Sequence, residues 1–446
     1  MTIFGRRRQR FFSRMKDGIA VFRSAPVATR NGDVDHPYRQ DSDFYYLTGF
    51  EEAGACAVLE KDGARRRFIL FVEPGDPEQA VWTGKKAGVQ GAVQDYAADE
   101  AYPIGEFLDR LSDLMVNRRR LYLAVGRDRE FEHDLFRRVE SLKGEARKGR
   151  SGPWEVVDPR SILWEMRLRK SPAEVRAMQR ACDVTIAGFE AAMRAVRPGM
   201  GEWELAAVVE FEFRRRGASR IAFETICASG ANAATLHYRA NASRIRPADL
   251  VLVDAGAEVG YMAADITRTF PASGRFTEPG KTVYSWVLRA QQAAIATVRP
   301  GVTYREVHEA ALRVLCEGLC AMGVLKGPES EVIASGSYQP FFMHRIGHWL
   351  GMDVHDAGPY FRDGDSIRLE PGMVLTVEPG LYFAADNEAA PESLRGIGVR
   401  IEDDVLVTRD GCRVLTDRLP KEPDQVERFM ASGSWWDRVR PASVRG

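Results

Sequence analysis

Hydrophobic and polar positions change their rhythm near residue 170. From residue 17 to about 125, short β-rich runs (GIAVF, DFYYLTGF, ACAVLE, RFILFV and RLYLAV) alternate with helical stretches such as IGEFLDRLSDLM. That alternation predicts an α/β domain. Before it, Phe4, Phe11, Phe12 and Met15 share one side of a basic segment and predict an amphipathic first helix. The glycine-containing run KGEARKGRSGPW, residues 143–154, reads as an exposed loop near the domain's end. At Ser171-Pro172-Ala173-Glu174 an N-cap, a proline at the first helical position and an acidic first turn open a long helix running to Val196. The pattern divides the chain into 1–168 and 169–446.

The second part contains a repeat. Val196-Arg197-Pro198-Gly199-Met200, followed by Glu204-Leu205, recurs 102 residues later as Val298-Arg299-Pro300-Gly301-Val302, followed by Glu306-Val307. A long helix precedes each copy, another follows, and strands come next. This predicts a duplicated α/β half, with a site where the halves meet.

Composition narrows the class. Lys+Arg and Asp+Glu balance at 63 each, so no global field favours nucleic acid or an anionic membrane. No apolar run approaches the roughly 20 residues that span a bilayer. The basic N-terminus has no apolar core behind its charges and does not read as a secretory signal. Six cysteines show no CxxC pair and no zinc-like grouping, which predicts free thiols in a reducing, cytoplasmic setting.

The chemistry begins in the run LVDAGAEVGYMAADITR, residues 252–268. Two β-rich segments flank Val259–Gly260, read as the two-residue turn of a hairpin. That centring sets Asp254 directly opposite Asp265. Opposed carboxylates are destabilising and resist ionising together, so a hard multivalent cation between them is one reading. The other leaves one aspartate in solvent and one in a turn. His237 stands in the same half. The second half adds His344, His348, His355, Glu378 and Glu402. His344 and His348 are four apart, but Arg345 and Gly347 exclude the zinc-protease HExxH helix. A histidine in such a segment is more often structural, and His348 gains weight from its company. Alternation puts Arg400 and Glu402 on one strand face, where an arginine beside a carboxylate is as often a plain ion pair.

Four of these stretches, HRIGHWLGMDVHD, VLTVEPGLYF, GIGVRIEDD and VDAGAEVGYMAADITRTF, resemble the metal-site motifs of the "pita-bread" metallopeptidases, in the Xaa-Pro aminopeptidase (aminopeptidase P) branch. QDSDFYYLTGFEEAGACAVLE resembles that branch's N-terminal domain, so the likeness covers nearly the whole chain. The fold it implies is α/β (α+β), an N-terminal α/β domain followed by a duplicated pita-bread catalytic domain. The resemblance implies an aminopeptidase that hydrolyses the bond before a proline in second position through a hydroxide bridging two divalent metal ions, most often manganese. Asp254, Asp265, His348, Glu378 and Glu402 would be the ligands, with Asp265 and Glu402 bridging. It further implies Glu378 as proton shuttle, and His237 and His355 on the substrate and the tetrahedral intermediate. His344, Tyr382 and Arg400 would line the proline pocket. Trp82, in AVWTGKK, falls where the family carries a tryptophan that reaches a neighbouring subunit, which implies a homotetramer or homodimer; on its own it reads as an ordinary core or surface aromatic. Arg345 stands where related enzymes more often place small residues, and either points outward or alters the pocket. Two other readings are a prolidase, which hydrolyses only dipeptides, and a non-catalytic pita-bread protein that binds peptides, chromatin or RNA. Such binders typically lose ligands, and the neutral charge offers no nucleic-acid footprint.

Overall fold

The structure, a computed structural model, describes residues 2–439. It divides into two compact units between Met166 and Arg167.

The first unit is built on a six-stranded mixed sheet. Its strands lie in the order Glu100–Pro103, Arg65–Val72, Cys56–Asp62, Gly18–Arg23, Arg120–Tyr122, Glu155–Val157. Cys56–Asp62 runs antiparallel to both neighbours, and the other strand pairs are parallel. Ile19, Val21, Val58, Ile69 and Phe71 alternate along the strands toward one face and pack on Phe107, Leu111, Met115, Leu135 and Val139 of two helices. The first helix, Ile3–Arg14, buries Phe11 and Phe12, and Met15 follows them into the core.

The run DFYYLTGF, expected to be β-rich, is the helix Ser42–Thr48 instead. Asp41 caps it by accepting from the Phe44 N–H, and Gly49 ends it at φ 71°. Two strong termini thereby override the β-propensity of Phe44, Tyr45 and Tyr46.

The second unit carries the repeat in its hydrogen bonds. Helix Pro172–Ala195 packs on Glu202–Arg215, and Gly280–Thr297 packs on Tyr304–Ala321. In the first copy the Gly199 N–H donates to Ile245 O (2.8 Å) and the Ile245 N–H to Met200 O (2.9 Å). In the second copy the Gly301 N–H donates to Leu369 O (2.9 Å) and the Leu369 N–H to Val302 O (2.7 Å). Glu204 and Glu306 each accept from the N-cap N–H of the helix that follows, Gly201 (2.6 Å) and Thr303 (2.7 Å), and the Thr303 side chain completes a capping box in the second copy. Each half then supplies a three-stranded antiparallel sheet. One is Ile226–Ser229, Leu250–Ala255 and Ile266–Pro271; the other is Val374–Val377, Asp403–Val407 and Cys412–Val414.

The hairpin exists, with a different register. Leu250–Ala255 pairs with Ile266–Pro271, and Ala257–Val259 pairs with Met262–Ala263. The turn is Gly260–Tyr261, both residues at positive φ (57° and 63°), one position later than the Val259–Gly260 turn expected from sequence. Asp254 therefore faces Thr267, and Asp265 is not its direct partner. The pairing moves by two residues, which preserves the face, so both carboxylates still point the same way. Glycine at the first turn position obscured a turn whose second residue is an unusual left-handed tyrosine.

Candidate metal centre

Each half of the repeat delivers two carboxylates from the ends of its strands. Asp254 is the penultimate residue of Leu250–Ala255, and Asp265 immediately precedes Ile266–Pro271. Glu378 immediately follows Val374–Val377, and Glu402 lies between Ile397–Arg400 and Asp403–Val407. His348 comes from a neighbouring segment bound to the Val374–Val377 strand. Thr376 Oγ1 accepts from the His348 N–H (3.0 Å), and the Thr376 N–H donates to His348 O (2.9 Å). A Cβ on Gly347 would lie 2.0 Å from the Thr376 carbonyl oxygen, so only glycine permits this approach.

These groups converge. Ligand atoms of Asp265, His348 and Glu402 all lie within 4.8 Å of one another. His348 Nε2 is 3.3 Å from Asp265 Oδ2 and 3.7 Å from Glu378 Oε1. His348 Nδ1–H donates to the Trp349 carbonyl (3.1 Å), which turns Nε2 toward the carboxylates. Arg400 is buried beside them. It donates to Asp254 Oδ2 (2.6 Å), Thr267 Oγ1 (3.1 Å) and Tyr382 Oη (3.1 Å). Thr267 Oγ1 in turn donates to Glu402 Oε2 (2.7 Å).

The electrostatics are those of a site built for cations. Burial first, then Asp254, Asp404 and Glu378, push the Asp265 carboxyl well above the usual range. Burial, Asp265 and Glu378 do the same to Glu402. Burial raises Glu378 too, against the pull of His348 and Arg400. Asp254 Oδ1 and Asp265 Oδ1 are buried without a hydrogen-bond partner. Such orphaned oxygens are costly in a protein interior. Four carboxylates and one imidazole nitrogen form a donor set for hard or borderline divalent metal ions, and the residues present fit them.

A cavity of about 500 Å³ opens over this cluster, lined also by His237, His344, His355 and Arg345. Arg345 is exposed at the rim rather than folded away. His344 Nδ1–H donates to the Arg345 carbonyl (2.8 Å), and its Nε2 meets Tyr382 Oη at 2.9 Å. Burial, aided by Arg400, pushes the His344 pKa down to about 3, so the ring is neutral. Tyr382 is buried behind the cavity wall as the link between His344 and Arg400. Trp82 belongs to the first unit, on the helix Pro77–Thr83, and is 87% exposed. A larger cavity, about 740 Å³, lies within the first unit at the ends of its strands. Its Arg23 and Arg127 are paired with Asp128 and Asp41, so volume alone does not make it the chemical centre.

Sequence reasoning missed Thr267, Thr376 and Asp404. Asp404 is buried behind Asp265, whose N–H it accepts (3.2 Å), and it also accepts from Cys182 Sγ (3.3 Å). Burial raises its pKa to about 7. The run Glu402-Asp403-Asp404 was its visible signal: three acids in a row cannot all face solvent from one strand. The threonines had no such signal.

Residues 176–409 match the model of metallopeptidase family M24, and residues 4–122 match the N-terminal domain of aminopeptidase P. The Xaa-Pro aminopeptidase of Escherichia coli is 41% identical over 96% of this chain and 97% of its own length. The solved aminopeptidase PepP of Pseudomonas aeruginosa superposes with a TM-score of 0.94 at 46% identity, covering 96% of this chain and 97% of that one. A zinc-substituted E. coli aminopeptidase P in complex with product superposes at 0.93, with 40% identity over 96% of this chain and 98% of that one. The duplicated fold, the clustered carboxylates and these likenesses agree: the chain belongs to metallopeptidase family M24, in its Xaa-Pro aminopeptidase (aminopeptidase P) branch.

Proposed function

We propose that this protein is a metal-dependent aminopeptidase that hydrolyses the bond between an N-terminal residue and a following proline. The observation that carries the reading is the buried cluster of four carboxylates and His348 at the floor of an open cavity. Near-full-length relatives described as Xaa-Pro aminopeptidases support the substrate class. Asp254, Asp265, His348, Glu378 and Glu402 would hold two divalent ions, manganese in this proposal. Such ions supply Lewis acidity and lower the pKa of water toward neutrality.

The remaining work falls to this chain's own groups. Glu378 takes a proton from the attacking water, whose oxygen bonds to the scissile carbonyl carbon. As the C–N bond breaks, Glu378 returns that proton to the proline nitrogen. His237 and His355 bind the substrate and the tetrahedral species. An X–Pro bond has no N–H to recognise, so the ring is held by shape, against His344 and Arg400, which Tyr382 links from behind the cavity wall. Arg400 also offsets the charge of Asp254. Trp82 completes the cleft of a neighbouring subunit in a homo-oligomer. A cytoplasmic setting belongs to the same proposal, supported by six free cysteines. Among the described residues no helix is long and apolar enough to cross a membrane.

Metal binding should be proton-linked. In the metal-free protein Asp265, Glu378 and Glu402 keep protons that an unfolded chain releases. Their stabilising contribution is present below the ordinary carboxylate pKa and is lost as pH rises through the raised values. Bound metal replaces those protons. The free energy of manganese binding should therefore weaken by roughly 1.4 kcal/mol per pH unit for each proton displaced, so that the rise in melting temperature it produces shrinks from about pH 8 to about pH 5.5. A pH-independent rise in differential scanning fluorimetry contradicts this.

Chelation should abolish hydrolysis of Xaa-Pro-Yaa tripeptides and manganese should restore it. Replacing the proline by alanine should cost at least about 10²-fold in kcat/KM. Arg400→Lys keeps the charge but loses the planar fork, and should lower turnover about tenfold or more. Equal rates on proline and alanine peptides would make this a general aminopeptidase, and turnover confined to Xaa-Pro dipeptides would make it a prolidase.

Trp82→Ala should impair cleavage of longer peptides while leaving metal content unchanged, in a protein that elutes as a homotetramer or homodimer. Light scattering combined with peptide-length kinetics checks both halves of this expectation. A monomer with full activity on proline peptides excludes it.

A further inference from the structure

Two cations just upstream of the M24-matched segment grip an acid beside His355. Asp356 is buried, and its two oxygens are divided between them. Oδ1 accepts from Arg167 Nη2 at 2.6 Å, and Oδ2 accepts from Lys170 Nζ at 3.0 Å. The same Arg167 Nη2 reaches Asp353 Oδ2 at 2.6 Å. Arg167, Lys170 and Asp356 are all nearly inaccessible to solvent. Arg167 and Lys170 precede residue 176, where the family match begins.

The acid sits inside the loop it closes. The Asp356 N–H donates to Trp349 O (2.8 Å), folding residues 349–356 back on themselves. A Cβ on Gly351 would lie 2.0 Å from Asp356 Oδ2 and 2.9 Å from Lys170 Cε, so carboxylate and lysine stem lie flat against the loop backbone. His348 precedes this loop and His355 stands at its far end. Their rings meet edge to face, centroids 4.2 Å apart.

The two ends are secured by different means. His348 is held by its exchange with Thr376, and Trp349 by Tyr360 Oη and the Pro359 carbonyl. His355, exposed toward the cavity, adjoins a residue whose carboxylate carries the ion pairs. Removing one of the two cations should loosen the His355 end while leaving the metal-side end in place.

We propose that Lys170 and Arg167, acting through Asp356, are positioning residues that hold His355 over the substrate. The proposal rests on the reading of His355 as a substrate-binding residue. Breaking a buried ion pair is costly when a charge is left alone. Lys170→Met avoids this, because Arg167 stays on Asp356 and the new side chain has similar length.

A double-mutant cycle tests it. Lys170→Met should lower kcat on an Xaa-Pro-Yaa tripeptide about tenfold, with metal content by elemental analysis unchanged. Lys170→Arg should retain at least about half of wild-type kcat. In a His355→Ala background the Lys170→Met change should cost less than about twofold, because the group it positions is already gone. Costs that simply multiply overturn the proposal, as does loss of metal in Lys170→Met. Full activity of His355→Ala alone overturns the reading of His355 instead, so the two failures are distinguishable. If Lys170→Met does not fold, Arg167→Met in the same cycle separates the same outcomes.

Discussion

The cost of placing four carboxylates in one buried pocket governs the second unit. Burial disfavours charge, and each neighbouring acid disfavours it again. Two sets of acids in this unit meet that cost in opposite ways. Asp356 and Asp403 are as buried as Asp265 and Glu402. Yet Asp356 and Asp403 are held below the usual carboxylate range, by Lys170 and Arg167 in one case and by Arg268 and Lys421 in the other. Asp265 and Glu402 are driven far upward, because the charges around them are mostly other acids. Difference in partners, not in burial, separates structural acids from those of the candidate metal centre. Arg400 offsets Asp254 at 2.6 Å but cannot offset four acids.

The structural acids also build the frame. Arg268 donates to Asp403 Oδ1 (2.7 Å) and, through Nη1, to the carbonyls of Glu402 (2.6 Å) and Thr267 (3.0 Å). One guanidinium thus ties a strand of the first half to the residue in the second half that carries a site carboxylate. Gln291 and Lys421 complete Asp403 from the helix Gly280–Thr297 and the C-terminal segment. The duplication explains the rest of the geometry. Asp254 and Glu378 occupy matching places at the ends of matching strands, so one architectural solution supplies carboxylates from two directions.

Much of this was legible in the sequence because the signals are local. The capped start at Ser171, the recurrence of Arg-Pro-Gly and the acids in β-rich runs each depend on a few adjacent residues. Failures arose where distant residues decide. The helix Ser42–Thr48 looked like a strand because its aromatic residues favour sheet, and its termini outweighed them. The hairpin turn slipped by one position because Tyr261, not Val259, takes the left-handed place. The slip was harmless to the site, since a two-residue change in pairing keeps every side chain on its face. The threonines that steady Glu402 and His348 could not be picked out, because a threonine in a strand has no chemistry of its own until a partner from the other half arrives.

A neutral His344 is the counterpart of the crowded acids. In a pocket with this much negative charge, protonated imidazoles would pair with the carboxylates and occupy the lone pairs a cation needs. Carbonyls of Arg345 and Trp349 accept from the Nδ1–H groups of His344 and His348, which orients the rings but does not itself resist a second proton. Burial and the Arg400 guanidinium then keep His344 from gaining a second proton, down to about pH 3. Arg400 therefore has two effects from a single position. It lowers the charge density felt by Asp254, and it prevents the ring linked to it through Tyr382 from becoming a competing cation. A lysine there would supply the charge but could not reach Asp254, Thr267 and Tyr382 at once, because an ammonium lacks the planar spread of donors that spans all three.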